Sequence, residues 1–282
     1  MSQDLGRGVV YAARVGYAAK GVVYGVVGFL ALLAALGESG GKLTDSHGAI
    51  SEIGRQPYGQ VLLWITALGL VCYALWKGVC AVLDPEQEGT DRKGAAKRAG
   101  YAFSSVLHFA LAFSTARAAL GSGRSGGGTK STVAELMSLP MGRVLIAIAG
   151  AIAIGFGVQQ MVLAVKGKVG EQYASAPLNG RLRQTVLRVA RVGVFARGLV
   201  FPVIGASFVM AALRGNASKA DGMGEALGDI AQGPFGRALI TFVAAGLLAY
   251  GVHLFFVARY GRLPEPRMPG ERQHAPQRAS AY

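Results

Sequence analysis

Cysteine and histidine are scarce in this 282-residue chain, which has two of the first and four of the second. Cys72 and Cys80 lie eight residues apart in one apolar segment, so they are too distant to pair with each other and have no metal or redox spacing. The sequence also lacks a phosphate-binding Gly loop, a nucleophile elbow and a zinc-protease motif. We therefore predict no catalytic site, no metal and no cofactor, and we do not expect an enzyme.

Acidic residues are also few, with 15 Asp and Glu against 29 Lys and Arg, which makes the formal net charge +14. Nucleic acid is excluded as a partner, because interleaved aromatic residues and a soluble basic module are both missing. The basic side chains are instead expected to attract anionic lipid head groups, at ~1 kcal/mol for each residue near the membrane surface. The residues assigned to this role are Arg14, Lys20, Arg98, Arg181, Arg188, Arg191 and Arg197.

Apolar segments are abundant, and they occur in three copies. A first repeated segment is followed by a second one that keeps an acid, a Pro and a Gly, and then by another apolar stretch. The first segments are Ala13–Leu36, Lys97–Leu120 and Ala190–Leu213; the second are Ala49–Gly59, Thr132–Gly142 and Ala226–Gly236; the last are Val61–Leu83, Val144–Val165 and Ala238–Val257. A hydrocarbon layer of ~30 Å needs roughly twenty helical residues. We predict an all-α membrane protein with six transmembrane helices, built as three tandem helical hairpins around a pseudo-threefold axis along the membrane normal.

The predicted units occupy residues 1–83, 84–166 and 167–260, and a basic, Pro-rich tail at 261–282 is expected to be disordered. About two thirds of the Lys and Arg residues fall on the side that holds both termini and the loops between units. Cytoplasmic segments retain such an excess, so both termini are predicted to be cytoplasmic. We expect a multi-pass protein of a bacterial inner membrane.

Polar side chains at membrane depth suggest function, because they are costly there. Two repeat positions hold such residues, Tyr24, His108 and Phe201 at one and Trp76, Gln159 and His253 at the other. They form a candidate polar layer that either packs amphipathic side chains near the interface or lines a solute pathway. A haem or metal site held by two histidines is disfavoured, since neither histidine has a second ligand three or four residues away.

One acid stands at the same place in each connector between the two apolar stretches of a unit. These acids are Glu52, Glu135 and Asp229. Around a threefold axis on the outer face they would attract cations. We favour a capping role, because Thr132 and Glu135 have the spacing of a capping box, with the acid at the third position of a short helix. The connector prolines Pro57, Pro140 and Pro234 are predicted to occupy the first position of each returning helix.

The residues that define a unit resemble a bacterial membrane family known as domain of unknown function 1206. They are Arg14, Val15, Gly16 and Tyr17 with Lys20 and Gly21, the pair Pro57 and Gly59, and the region from Gly69 to Trp76. The resemblance covers the chain apart from its two ends, and it implies a two-helix module that is commonly present in three tandem copies and has no assigned activity. Unit 2 departs from the pattern, because Ser104 and Ser105 replace Lys20 and Gly21.

Two functions remain open on these grounds. The first is a non-catalytic structural or interaction protein, which packs with itself or with another membrane protein. The second is a carrier or pore for a small solute or ion along the pseudo-threefold axis, since parallel repeats are a known transporter plan. A carrier requires a polar cavity that reaches Tyr24, His108 or His253, whereas a dry centre filled with apolar side chains would exclude it.

Overall fold

The computed structural model describes residues 2–38, 40–121, 129–174 and 176–266. Within these ranges, side chains are described for all residues except 2–5 and 131. The described chain is helical and has no strand. The α-helices are α1 Ser2–Leu36, α2 Ser46–Arg55, α3 Gly59–Leu83, α4 Arg92–Ala119, α5 Thr129–Met137, α6 Gly142–Val165, α7 Gly180–Arg214, α8 Met223–Gln232 and α9 Gly236–Tyr260. Short 3₁₀ helices cover Lys168–Tyr173 and Ala217–Lys219. Each unit therefore consists of a long helix, a short helix and a second long helix.

Five of the described long helices are long and apolar enough to cross a membrane, with mean hydropathy between 1.7 and 2.0. They are α1, α3, α6, α7 and α9. The sixth long helix, α4, is not among them, because its first two turns hold Arg92, Lys93, Lys97 and Arg98, and polar side chains follow further along. The prediction of a multi-pass helical membrane protein therefore stands with five candidate spans.

Neighbouring long helices follow the order α4, α3, α1, α9, α7 and α6 around the bundle. The pairs α1 with α3 and α7 with α9 join helices of one unit. The pairs α3 with α4 and α6 with α7 join consecutive units, and α9 with α1 joins the third unit to the first. The helices α4 and α6 belong to one unit but lie at opposite ends of this order and do not pack along each other. Most buried side chains lie between α1, α3, α7 and α9.

Small residues bring the helices of consecutive units into backbone contact. The facing pairs are Gly21 with Gly251, Ser105 with Ala74, and Gly198 with Gly157. A Cβ atom added to Gly21 or to Gly198 would lie 3.0 Å from the carbonyl oxygen of its partner, and Ser105 Oγ donates to the Ala74 carbonyl at 2.8 Å. Since helices in lipid gain little from the hydrophobic effect, such close approach is a main source of their association.

The helix pairs within units differ, because the pair of unit 2 is open. Gly16 and Gly193 occupy one repeat position, and a Cβ atom at either would clash with the backbone of Tyr73 or Tyr250 on the second long helix of the same unit. Gly100 is their equivalent in unit 2, and a Cβ atom there would meet nothing within 4 Å. The hairpin of unit 2 is therefore spread apart.

Each connector ends with a residue in the left-handed conformation followed by Gly. Tyr58, Met141 and Phe235 have φ values of 61°, 61° and 57°, and Gly59, Gly142 and Gly236 begin α3, α6 and α9. The predicted place of the prolines at the first helical position is wrong, because each Pro lies two residues before its helix. Glycine begins the helix instead, since a Cβ atom there would clash with a carbonyl group of the preceding short helix.

The connectors meet at one end of the bundle. Gly224 approaches Thr44, Thr129 approaches Gly222, and Lys130 Nζ lies 3.4 Å from Asp221 Oδ1. Segments from the chain's start, from between units and from after α9 meet at the other end, where the Arg262 amide donates to the Gln172 carbonyl at 2.9 Å. Gly261–Pro266 is irregular, and the rest of the predicted tail at 267–282 lies outside the described residues.

Substitution at the equivalent glycines tests the open hairpin. We expect Gly16→Ala to lower the free energy of unfolding by about 2 kcal/mol, because its methyl group overpacks against Tyr73. Gly100→Ala is the matched control, and it should be neutral or stabilise by about 0.5 kcal/mol, since Ala is a better helix former than Gly. Unfolding of the purified protein in detergent measures both. Equal losses in the two variants would contradict an open α4 and α6 pair.

Candidate functional site

A cavity of about 2390 Å³ lies at the centre of the bundle and is lined by all six long helices. Its lining also includes loop residues from both ends, such as Asp45 at the connector end and Glu86 at the other. The predicted polar layer falls largely in this space, because Tyr24, His108, Gln159 and His253 line it. Trp76 does not line it and is 1% exposed, with no hydrogen-bond partner for its ring N–H in the described part of the chain.

Three buried basic residues of the long helices line the cavity and carry its chemistry. Lys20, Lys77 and Arg197 are only 5%, 9% and 8% exposed. Within the described residues, no carboxylate lies within 4 Å of their charged nitrogen atoms. A buried charge normally has an ion-pair partner. These three have aromatic and hydroxyl groups instead.

Lys20 is held by tyrosines. Its ammonium group donates to the Tyr73 hydroxyl at 3.0 Å and lies 4.2 Å from the centre of the Tyr73 ring. It also lies 5.9 Å from the centre of the Tyr24 ring. Both contacts stabilise a cation partly, at about 2 kcal/mol for a desolvated pair.

Arg197 lies among four aromatic rings. The rings of Phe201, Tyr250, Phe156 and Tyr24 are centred 4.8, 4.9, 5.0 and 5.7 Å from its guanidinium carbon. Its Nε–H group donates to the Tyr24 hydroxyl at 3.3 Å. Tyr24 therefore contacts both Arg197 and Lys20, so two basic side chains share one aromatic ring.

Lys77 lies near the end of α3 and contacts Tyr101, which binds Glu86 in the loop after that helix. It is 4.5 Å from the centre of the Tyr101 ring and 5.9 Å from that of Tyr73. The Tyr101 hydroxyl in turn donates to Glu86 at 2.7 Å. Tyr73 thus joins Lys77 to Lys20, as Tyr24 joins Lys20 to Arg197.

The two predicted histidines are held by different groups. The ring of His108 is centred 4.6 Å from that of Tyr73, and its Nδ1 lies 2.7 Å from the Ser104 carbonyl oxygen. His253 Nδ1 lies 2.7 Å from the hydroxyl of Tyr173, a residue of the 3₁₀ helix after α6. Burial raises the pKa of Tyr173, because desolvation disfavours the phenolate. Among the described residues, no three His, Cys, Asp or Glu side chains converge as metal ligands would.

The placement of Lys20 and Arg197 corrects their assignment to lipid head groups. Their helices begin at Ser2 and Gly180, earlier than the repeat alone indicates. Both side chains are nearly buried and line the cavity, so they do not face the surrounding lipid. They occupy the same repeat position, and a basic residue there in two units is the sequence signal that would have identified the cation pair.

Three other predicted head-group residues bind neighbouring helices. Arg14, Arg98 and Arg191 occupy one repeat position, and each donates two hydrogen bonds of 2.6 to 3.1 Å to carbonyl groups at the end of the preceding unit's last helix. The acceptors are Ala258 and Arg259 for Arg14, Ala81 and Val82 for Arg98, and Ala164 and Val165 for Arg191. We call these residues the clasp arginines. They bind carbonyl groups of the last helical turn and complement the negative end of the helix dipole.

Three segments match the family described as Domain of Unknown Function (DUF1206), at residues 15–84, 99–167 and 192–261. The chain belongs to the DUF1206 family. This confirms the resemblance found in the unit residues, and each match begins one residue after a clasp arginine. The chain is also 30% identical over 247 residues to the uncharacterized protein YxxB of Bacillus subtilis (strain 168), covering 88% of this chain and 89% of the relative. No solved structure matches.

The connector acids of the DUF1206 units do not cap their helices. The short helices begin at Ser46, Thr129 and Met223. Glu52, Glu135 and Asp229 each lie six residues further on, past the first turn, so the predicted capping role is wrong. Asp45 caps α2 instead, accepting from the Gly48 amide at 2.9 Å, and Glu225 accepts from the Gly222 amide at 3.2 Å. Glu52 lies 3.3 Å from both Lys42 and Arg55, whereas Glu135 and Asp229 are exposed.

Replacement of Arg191 tests the clasp. We expect Arg191→Ala to lower the free energy of unfolding by about 1 to 2 kcal/mol, because two carbonyl groups of α6 lose charged donors. Arg188→Ala is the control on the same helix, since Arg188 is exposed and has no side-chain hydrogen bond among the described residues. It should change stability by less than about 0.5 kcal/mol. Thermal unfolding in detergent distinguishes them, and equal effects would show that the clasp contributes nothing.

Proposed function

We propose that this protein is a membrane carrier for an anionic solute, whose acidic group binds in the central cavity between Lys20 and Arg197. The observation that supports this most is a group of three buried cations without a carboxylate partner in the described chain. Of the two functions left open by the sequence, the cavity favours the carrier. We propose no catalytic step.

The charge distribution along the cavity favours an anion over a cation. Its carboxylate-bearing lining residues are Asp45, Asp84, Glu86, Glu88, Glu171 and Glu265, and all of them lie in loops or short turns at the two ends. The long helices contribute only basic, aromatic, amide, hydroxyl and apolar groups. A cation would therefore meet like charge at membrane depth, and an anion would meet opposite charge.

The energetics indicate that the cations serve binding more than folding. Two unit charges about 10 Å apart repel by roughly 1 to 2 kcal/mol at an effective dielectric constant of about 20. Desolvation of each cation adds several kcal/mol more. The aromatic rings offset only part of this, so an anionic ligand would remove a strain that the empty protein carries. Ionisable groups inside membrane bundles usually belong to such pathways.

The membrane arrangement proposed with this function retains the finer sequence predictions. We infer that α4 is a sixth span, because Lys97, Ser104 and His108 line the cavity and so lie away from lipid. The repeated contacts between units support a pseudo-threefold arrangement of the three hairpins. The basic excess supports the proposal that both termini are cytoplasmic, and we propose a bacterial inner membrane as the location. Arg181 and Arg188 are exposed and remain proposed contacts for anionic head groups.

Binding of butyl phosphate tests the carrier proposal. Calorimetric titration in phosphatidylcholine nanodiscs should detect binding to the unaltered protein. Lys20→Met and Arg197→Met should each weaken it by about tenfold or more, because a charged hydrogen bond is lost. Lys166→Met is the control, since Lys166 is exposed and does not line the cavity.

Counterflow of labelled butyl phosphate into phosphatidylcholine proteoliposomes then measures passage across the membrane. We expect uptake to fall in the same two variants and to persist in Lys166→Met. Absence of binding in the unaltered protein, or equal binding in all variants, would overturn the proposal of an anion site. Binding without uptake would overturn the carrier and leave an anion-binding protein.

A further inference from the structure

The ring of contacting helices has a gap between α4 and α6, and this gap opens the cavity sideways. Every other pair of neighbouring long helices packs along its length. Both α4 and α6 line the cavity. Gly100 lines it from α4, and a Cβ atom added there would meet nothing within 4 Å. Within a membrane, a gap between two long helices faces the lipid chains.

At two repeat positions, unit 2 has larger residues than units 1 and 3, and this difference explains why only its hairpin is open. In unit 1 Gly69 packs against Ala19, and in unit 3 Gly246 packs against Ala196, so closely that an added Cβ atom would clash. The equivalent residues of unit 2 are Ile152 and Phe103. These bulky side chains prevent the close approach that a Gly and Ala pair permits.

The edges of the gap are apolar and accessible. Phe103 and Leu107 on α4 and Ile152 on α6 line the cavity and are 55%, 51% and 60% exposed. We call these three residues the gap edge. They present a surface suited to an alkyl chain at the level where the cavity meets lipid.

The gap edge lies one helical turn from the cation site. Phe156 is four residues after Ile152 on α6, and its ring is centred 5.0 Å from the Arg197 guanidinium carbon. On the other side, Ser104 follows Phe103 and occupies the repeat position of Lys20. A molecule can therefore contact the cations with one end and the gap edge with the other.

We propose that the solute is an anionic amphiphile, whose acidic head binds Lys20 and Arg197 while its alkyl chain extends through the gap into the bilayer. This inference rests on the proposed anion site and specifies its substrate class. Charge complementarity selects the head, because the cavity centre is cationic. The lateral opening with its apolar edges accommodates the chain without moving it through water. The substrate then enters and leaves from the membrane.

Photolabelling locates the chain. Hexadecyl phosphate carrying a diazirine at its chain end is irradiated with the protein in phosphatidylcholine nanodiscs, and labelled residues are identified by mass spectrometry. We expect labels on the gap edge that are removed by unlabelled hexadecyl phosphate but not by hexadecanol, and that fall about tenfold in Lys20→Met. Val106 and Phe113 are internal controls, because both are exposed on α4 and do not line the cavity. Equal labelling of the controls, or labelling unaffected by Lys20→Met, would overturn the proposal.

A crosslink across the gap gives an independent test. Phe103→Cys and Ile152→Cys are combined in a background where both native cysteines are Ala, and a bismaleimide joins them. The joined protein should keep butyl phosphate binding, and it should bind hexadecyl phosphate at least about tenfold more weakly than the same double cysteine variant before bismaleimide treatment. If the joined protein binds hexadecyl phosphate as tightly as before treatment, the lateral route is wrong and the anion site stands. If no form of the protein binds butyl phosphate, the proposed anion site itself is wrong.

Discussion

Backbone contact between consecutive units is the constraint on which this bundle depends. The hydrophobic effect cannot drive apolar helices together in lipid, so their association needs close packing and hydrogen bonds. Gly21 against Gly251 and Gly198 against Gly157 supply the packing, and Ser105 adds a hydrogen bond where its unit has a larger residue. The clasp arginines add hydrogen bonds to carbonyl groups at the ends of the same helix pairs. Since these contacts recur in every unit, they hold the ring while other positions change.

The contacts between units are similar in all three units, whereas the residues that face the cavity differ from unit to unit. One position holds Lys20, Ser104 and Arg197, and another holds Lys77, Gln160 and Leu254. The cations thereby lie on one side of the cavity, among tyrosine and phenylalanine rings that support charge without neutralising it. A neutral network of the same shape would fold with less strain, which is why we associate the charges with a ligand.

The second unit has changed most, and its changes are consistent with one another. Ile152 and Phe103 separate α4 from α6, and α4 has more polar residues than the other long helices. The separation turns a closed ring into one with a lateral opening. A single pair of enlarged side chains thus connects the packing of the hairpin to the kind of molecule that can enter.

Much of the fold could be read from the repeat, since long apolar segments in three copies require membrane helices in three similar units. Four residues of the predicted polar layer line the cavity, Tyr24, His108, Gln159 and His253, and they drew attention because polar residues are unusual in apolar segments. Lys20 and Arg197 were assigned to the surface, since basic residues near an apolar segment usually snorkel, whereas both are buried against aromatic rings of neighbouring helices. The short helices were also misplaced by a few residues, which is why Glu135 was taken for a capping residue.

The sequence alone determined the class of protein, the number of units and their family, because periodicity and hydropathy are properties of the chain itself. Only the tertiary structure decided that the cations face a common cavity, that the clasp arginines bind helix ends and that one hairpin is open. These features depend on which helix lies beside which, and residues far apart in the chain meet there. The burial of Lys20 and the open space beside Gly100 depend on residues of other helices, so neither can be read from one segment of the sequence.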